Sequence, residues 1–286
     1  MSEPPRLPGG LGEAVEVLER SVRRATGEYR EDEWGFDEEF AEALLPAFDF
    51  LFQKWWRVEA EGVRNVPGHG RVLLVANHAG TIFPFDAIMI GTAIRRLHPQ
   101  PRWARALVLD WAFELPFFSY LMRRLGGAPA DPANLARLLE EEQAVMVFPE
   151  GAKGFGKPFS ERYRTQRFGR GGFIAEALRS RTPLFPVAVV GAEETYPKLG
   201  DLGPLARVIG APYIPFTPTF PLLGPLGLIP LPSRWRITFL EPIDLSGYPP
   251  ESADDTGLVL DLAEQVRESI QQGLYRGLVE RGPAFL

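Results

Sequence analysis

Three short runs in this chain are apolar at every position: Val72 to Ala76 (VLLVA), Val145 to Phe148 (VMVF) and Leu184 to Val190 (LFPVAVV). A strand with one wet face alternates; a strand without a polar position must be covered on both sides. Helical spacing separates these runs, over Ala87 to Leu97, Phe117 to Leu125 and Asn134 to Gln143, the last with Asp131 available as a cap. Ala106 to Leu109 is a further short strand candidate, and Arg234 to Phe239 alternates as a half-exposed strand would. A long helix over Asp255 to Glu280 closes the chain, with Val259, Leu262, Val266, Ile270, Leu274 and Leu278 at helical spacing. The pattern predicts an α/β fold, a mixed and largely parallel sheet covered by helices. There is no internal repeat and no low-complexity linker. The division expected is a tail with helices over 1–57 and one main domain over 58–286.

Within the N-terminal part, residues 1–12 read as a loose terminus and Glu13 to Arg24 as a short helix. An acidic stretch, Glu31 to Glu42, leads into a second helix over about Phe36 to Arg57, with Pro46 as a candidate kink. Leu44, Leu45, Phe48, Phe50, Leu51, Phe52, Trp55 and Trp56 crowd several of its faces. Such a helix either packs on the main domain or lies in a membrane interface, and one helix can do both.

Composition excludes several classes. A net charge of −6 and a pI near 5.3 argue against general nucleic-acid binding. The absence of cysteine removes disulfides, thiolate metal sites and cysteine nucleophiles, and three histidines leave no convincing metal cluster. The first residues lack the basic and apolar regions of a signal peptide, so the expected location is cytoplasmic. The nearest candidate for a membrane span, Ala211 to Pro232, carries no charge but holds seven prolines: Pro212, Pro215, Pro218, Pro221, Pro225, Pro230 and Pro232. These forbid a spanning helix and leave a packed or membrane-facing loop, with the wall or lip of an apolar tunnel as its candidate role.

Polar residues just past the carboxyl ends of buried strands are the usual reactive groups of α/β sheets. One such end reads VLLVANHAGTIFPFD, with Asn77, His78 and, eight positions later, Asp86. A histidine here can take a proton from an alcohol attacking a carbonyl, while a carboxylate on its other ring nitrogen fixes the tautomer. Gly80 and Pro84 force a loop between the two, so that loop must fold back for them to meet. His69 and His98 read as solvated loop histidines. The second strand end is VMVFPEGAKGFGKP, with Glu150 and Gly151 followed by a basic segment: Lys153, Lys157, Arg162, Arg164, Arg167 and Arg170 against Glu161 alone. This segment could hold the phosphates of coenzyme A, an acidic carrier protein, a substrate phosphate or anionic headgroups, or simply be a solvated loop. Gly151 to Lys157 also imitates a phosphate-binding P-loop, but Pro158 stands where a magnesium-binding hydroxyl is needed.

The Asn-His…Asp motif, Phe-Pro-Glu-Gly some seventy residues on, and the apolar strand after it (Thr182 to Gly191) resemble the glycerolipid and lysophospholipid acyltransferases, in that order and over about Arg57 to Leu245. The resemblance implies acyl transfer from acyl-CoA or acyl carrier protein to a lipid hydroxyl at the inner face of a membrane, with no cofactor and no metal. His78 would be the general base, Asp86 its orienting carboxylate, and Asn77, Glu150, Gly151, Lys153, Lys157, Arg162, Arg164, Arg123 and Arg124 the surroundings of the substrates. Two departures stand out. Most of the family has four residues between histidine and aspartate, whereas here there are seven, as in a branch resembling mono- and diacylglycerol acyltransferases. The arginine that many phosphate-accepting members carry after the glycine matching Gly126 or Gly127 is missing, although Arg123 and Arg124 lie just upstream. The acceptor implied is a mono- or diacylglycerol, with lysophosphatidic acid as the alternative. A membrane-binding protein whose catalytic pair has decayed is the rival outside catalysis.

Overall fold

The computed structural model describes residues 31–79, 83–114, 118–203 and 214–285. The helix expected over Glu13 to Arg24 lies outside these residues. In chain order the elements are helix α1 (Glu38–Phe50), strands β1 (Glu59–Glu61) and β2 (Val72–Ala76), helix α2 (Phe85–Leu97) and β3 (Ala104–Val108). Short helices α3 (Trp111–Glu114) and α4 (Phe118–Arg124) precede β4 (Gly127–Pro129), α5 (Pro132–Glu140), β5 (Ala144–Val147) and α6 (Ala152–Phe155). Then come α7 (Gly172–Ser180), β6 (Leu184–Val190), α8 (Ala192–Thr195), the paired short strands β7 (Gly200–Asp201) and β8 (Pro215–Phe216), β9 (Arg236–Phe239) and α9 (Thr256–Arg281).

Seven strands form one sheet in the order β1-β9-β6-β2-β5-β3-β4. All neighbours run parallel except β6 and β9, which are antiparallel. The sheet is thus mixed and largely parallel, as the sequence predicts. The three unbroken apolar runs, β2, β5 and β6, lie side by side in its centre, where both faces are covered. Side chains alternate between the faces. Leu73, Val75, Val145 and Val147 meet α5, α7 and α9 through Leu138, Ile174, Leu178, Val266 and Ile270. Val72, Leu74, Ala76 and Met146 meet α2 through Met89, Ile90 and Ile94.

Pro186 is unusual in a central strand, since it cannot donate to the ladder. Its carbonyl accepts from Leu240 N (2.9 Å), but proline cannot return a bond to Leu240, and β9 ends just before that residue, at Phe239. The N-terminal helix shares this core. A π-helical turn, Leu51–Trp55, follows α1 without a break despite Pro46. Phe52 and Trp56 are buried, and Trp56 stacks on Trp235 at 4.7 Å. The core-packing role expected for this segment is what the structure displays.

Candidate active site

Because β2 and β5 are parallel, their carboxyl ends lie at one edge of the sheet. The register pairs Val75 with Val147. Three residues further along each chain stand His78 and Glu150, side by side for that reason. Asn77, the last residue before His78, is fully buried. Its amide donates to Val189 O (3.0 Å) and accepts from Val189 N (2.8 Å), pinning the end of β2 to β6. It acts on the backbone, and both polar ends of its side chain are occupied there.

Asp86 lies in the first turn of α2 and is fully buried. Its Oδ1 accepts from Ala87 N (2.9 Å) and its Oδ2 from Ala79 N (3.1 Å), and Oδ2 also meets His78 Nδ1 at 2.7 Å. His78 and Asp86 do meet, across the seven-residue spacing. A carboxylate held by two amides at a helix N-terminus suits the positive end of the helix dipole. The carboxylate on Nδ1 orients the imidazole, and the Phe148 ring lies against it at 4.8 Å.

Glu150 does not face the cavity. Its Oε1 accepts from His78 N (2.9 Å) and its Oε2 from Gln166 N (2.6 Å), with Lys157 Nζ at 3.8 Å. Lys157 is buried too, paired with Glu193 at 2.6 Å and donating to Arg164 O. Burial pushes the Glu193 carboxyl above its ordinary value, while the Lys157 ammonium beside it pulls the other way. Gly151 takes φ +53°, and a Cβ there would meet nothing, because this glycine borders the cavity. Its N–H closes a turn on Phe148 O (2.9 Å) and so is engaged within the chain.

The basic residues divide. Lys153, Arg162, Arg164, Arg167 and Arg170 are exposed, with Arg162 lying over the Phe159 ring. Arg123 is exposed over the Phe113 ring. Arg124 is buried between Asp37 (2.9 Å) and Glu31 (2.6 Å), tying α4 to the segment before α1. Its place near Gly127 is structural: neither it nor Lys157 lines the cavity. His98, expected as a solvated loop residue, is instead buried, its ring nitrogens 2.7 Å from Gln100 O and 2.8 Å from Val66 O. The Gln100 carbonyl just past the end of α2 and the Val66 carbonyl, distant in sequence, hold it inward.

His78 opens on a cavity of about 240 Å3 that runs over the carboxyl ends of β2, β5, β3 and β4. Trp111, Phe118, Leu135, Phe148 and Phe173 are among the apolar side chains of its wall. Among the described residues lining it, His78 and Asp131 are the titratable ones, and Asp131 caps α5 through Ala133 N. A smaller cavity of about 60 Å3 shares Pro84, Ala87, Ala106 and Val108 with it and reaches Leu45 and Phe48 of α1. No described residue of the proline-rich stretch borders either space, so the expectation that it walls the tunnel is not met.

Gly154 was not visible in the sequence as a site residue. A Cβ there would stand 2.7 Å from Glu150 Cβ and 2.8 Å from His78 Cβ, so the turn of α6 can close on the pair only with glycine. The one signal for it is the spacing of small residues in GAKGFGKP, which the P-loop imitation obscures.

Among the described residues no cluster of ligating side chains could hold a metal ion, and no helix is long and apolar enough to cross a membrane. Residues 57–190 match the family model described as Acyltransferase. An uncharacterized protein of Mycobacterium tuberculosis is 47% identical over 280 residues, covering 97% of this chain and 78% of its own. Another from Mycobacterium leprae is 48% identical over 264 residues, covering 92% of this chain and 72% of its own. Among solved structures, the 1-acyl-sn-glycerophosphate (LPA) acyltransferase PlsC of Thermotoga maritima superposes with a TM-score of 0.53. It is 20% identical and covers 84% of this chain and 78% of that one, a likeness of fold. The resemblance drawn from the motifs agrees with both the family model and this fold.

Proposed function

Since the chain belongs to the acyltransferase family, we propose that it transfers a fatty acyl group from a thioester, acyl-CoA or acyl carrier protein, to a glycerolipid hydroxyl at a membrane surface. The observation that carries this reading is the 2.7 Å contact of His78 Nδ1 with a fully buried Asp86 at the mouth of an apolar cavity. With Nδ1 engaged by the carboxylate, proton acceptance falls to Nε2. The acceptor hydroxyl gives its proton there as its oxygen attacks the thioester carbonyl. The tetrahedral oxyanion then collapses, the C–S bond breaks, and the proton passes from His78 to the departing thiolate. Asp86 holds the tautomer and stabilises the transient imidazolium. Lys153, exposed on the first turn after Gly151, is the cation at hand for the oxyanion or for a donor phosphate.

The cavity lining favours a neutral acceptor. Its described residues include the carboxylate Asp131 and no lysine or arginine, a poor setting for a phosphate monoester. Mono- or diacylglycerol is therefore the acceptor proposed. Lysophosphatidic acid is the second reading, supported by the name of the Thermotoga enzyme and by the exposed cations from Lys153 to Arg170.

Thiol release from acyl-CoA tests both, and with no cysteine in the chain the thiol reagent has no background. Wild type and His78→Ala are compared on vesicles containing monoacylglycerol, diacylglycerol or lysophosphatidic acid, then with acyl carrier protein as donor. Release that requires a neutral acceptor and is lost in the variant is the result expected. Release only with lysophosphatidic acid would select the second reading. Release without acceptor would mean a thioesterase, and silence throughout would favour lipid binding without catalysis.

A further inference from the structure

The surface carries an apolar ledge for which the catalytic reading has no use. Leu222, Leu223, Leu226, Leu228 and Ile229 are between 51% and 74% exposed. They sit in a stretch, 211–233, without one charged residue. Isolated exposed leucines mean little, but five within one short segment form a contiguous patch of the kind that marks an interface.

The ledge is rigid, so its side chains are held outward. Leu223 N donates to Thr219 O (2.8 Å) and Ile229 N to Leu226 O (3.1 Å). Thr219 Oγ1 donates to Gly227 O (3.1 Å), and a Cβ on Gly227 would strike Thr219 O at 2.4 Å. Three aromatic side chains anchor the back of the ledge: Trp55 donates to Pro230 O (2.9 Å), Trp56 to Leu231 O (3.0 Å) and the Tyr196 hydroxyl to Leu228 O (2.6 Å). These internal bonds occupy part of the segment's backbone and lower the cost of entering an apolar medium.

Its rim is aromatic and cationic. Phe50, 54% exposed, lies 6.3 Å from the Trp55 ring; Lys54 is exposed; and the Arg57 guanidinium donates to Pro232 O. Aliphatic tip, tryptophan collar and cations behind it reproduce the layers of a bilayer with anionic headgroups. A seam of rings joins the ledge to the catalytic cavity. Tyr196 stacks on Phe85 at 6.4 Å, Phe85 meets Phe83 at 4.5 Å, and Phe83 meets Phe118 of the cavity wall at 5.9 Å.

We propose that residues 219–231 are the membrane-docking element, inserting Leu222, Leu223 and Leu226 among the acyl chains of an anionic bilayer while Lys54 and Arg57 meet its headgroups. The route taken by substrate along the ring seam rests on the acyl-transfer reading; the docking itself does not.

The test is flotation of the full chain with vesicles of phosphatidylcholine and phosphatidylglycerol, comparing wild type with Leu222→Glu/Leu226→Glu. Both positions are among the most exposed, at 74% and 68%, so the melting temperature should not change. Binding should fall at least roughly tenfold in the double variant, and turnover of vesicle-borne acceptor should fall with it. Turnover of a short-chain, water-soluble acceptor and donor should be unchanged. Equal flotation of the two proteins would overturn the proposal. So would ledge-dependent dimerisation in sedimentation with no vesicle binding, which would make the ledge a contact between copies. Ledge-dependent flotation without turnover of any acceptor would uphold docking and sink the acyl-transfer reading alone.

Discussion

Glu150 Oε1 accepts the backbone N–H of His78 at 2.9 Å, so the second strand-end motif holds the first in place. In Glu150→Gln one oxygen can still serve His78, but the new NH2 would face Gln166 N–H and Lys157, donor against donor. A displacement of the imidazole by a fraction of an ångström follows. The expected outcome is a kcat lower by about 10- to 100-fold with KM for the acceptor little changed. A raised acceptor KM at constant kcat would instead mean that Glu150 touches substrate.

Asp86→Asn should be nearly as damaging as loss of the histidine. The amide would present a donor where Oδ2 now meets His78 Nδ1, and the ring would settle in the wrong tautomer. A fall in kcat of about 10^3 to 10^4 is expected, with vesicle binding close to wild type and a lowered melting temperature, because the new amide also faces the Ala79 N–H inside the fold. Activity within threefold of wild type would remove Asp86 from the mechanism.

Asn77→Ala is a stability variant. It strips both Val189 N–H and Val189 O of their partners inside the sheet. Two buried backbone groups left unsatisfied cost about 2–4 kcal/mol, readable as a lower urea midpoint at constant slope. An unchanged midpoint with a raised substrate KM would return Asn77 to the binding surface.

Glu176 on α7 gives a pH signature. Burial pushes its carboxyl above the ordinary value, Arg179 opposes the shift and Glu140 adds to it. The folded chain thus favours the protonated form. The stability this confers is complete below the unfolded value and is lost as pH rises through the folded one. Glu176→Gln keeps it, so the melting temperature of wild type relative to the variant should drop by about 1–3 °C between about pH 4 and pH 7. A constant difference would contradict the assignment.

Burial on both faces made the centre of the sheet readable. β6 runs over the seven residues expected, and β2 and β5 fall within one residue of expectation, because only a fully covered strand is apolar throughout. Helix α5 starts at Pro132, earlier than periodicity indicates, since proline at the first helical position follows the Asp131 cap. The edge strand β1 reads EAE and carries no apolar signal, so only its pairing with β9 defines it. In the site, His78 and Asp86 were legible from residue type and placement. The partners of Arg124 and Lys157 were not, because Asp37 and Glu193 are distant in sequence and meet them only through the folded topology. The Glu150 contact depended on strand register, which one sequence does not display.

Asp86 is positioned by the docking of α2 against the sheet, and His78 by the end of β2. The two therefore meet as parts of separate, independently anchored elements, and the number of residues joining them does not set their separation. The linker is in this sense a free parameter. A lineage can lengthen or shorten it while the contact that orients the imidazole is inherited unaltered.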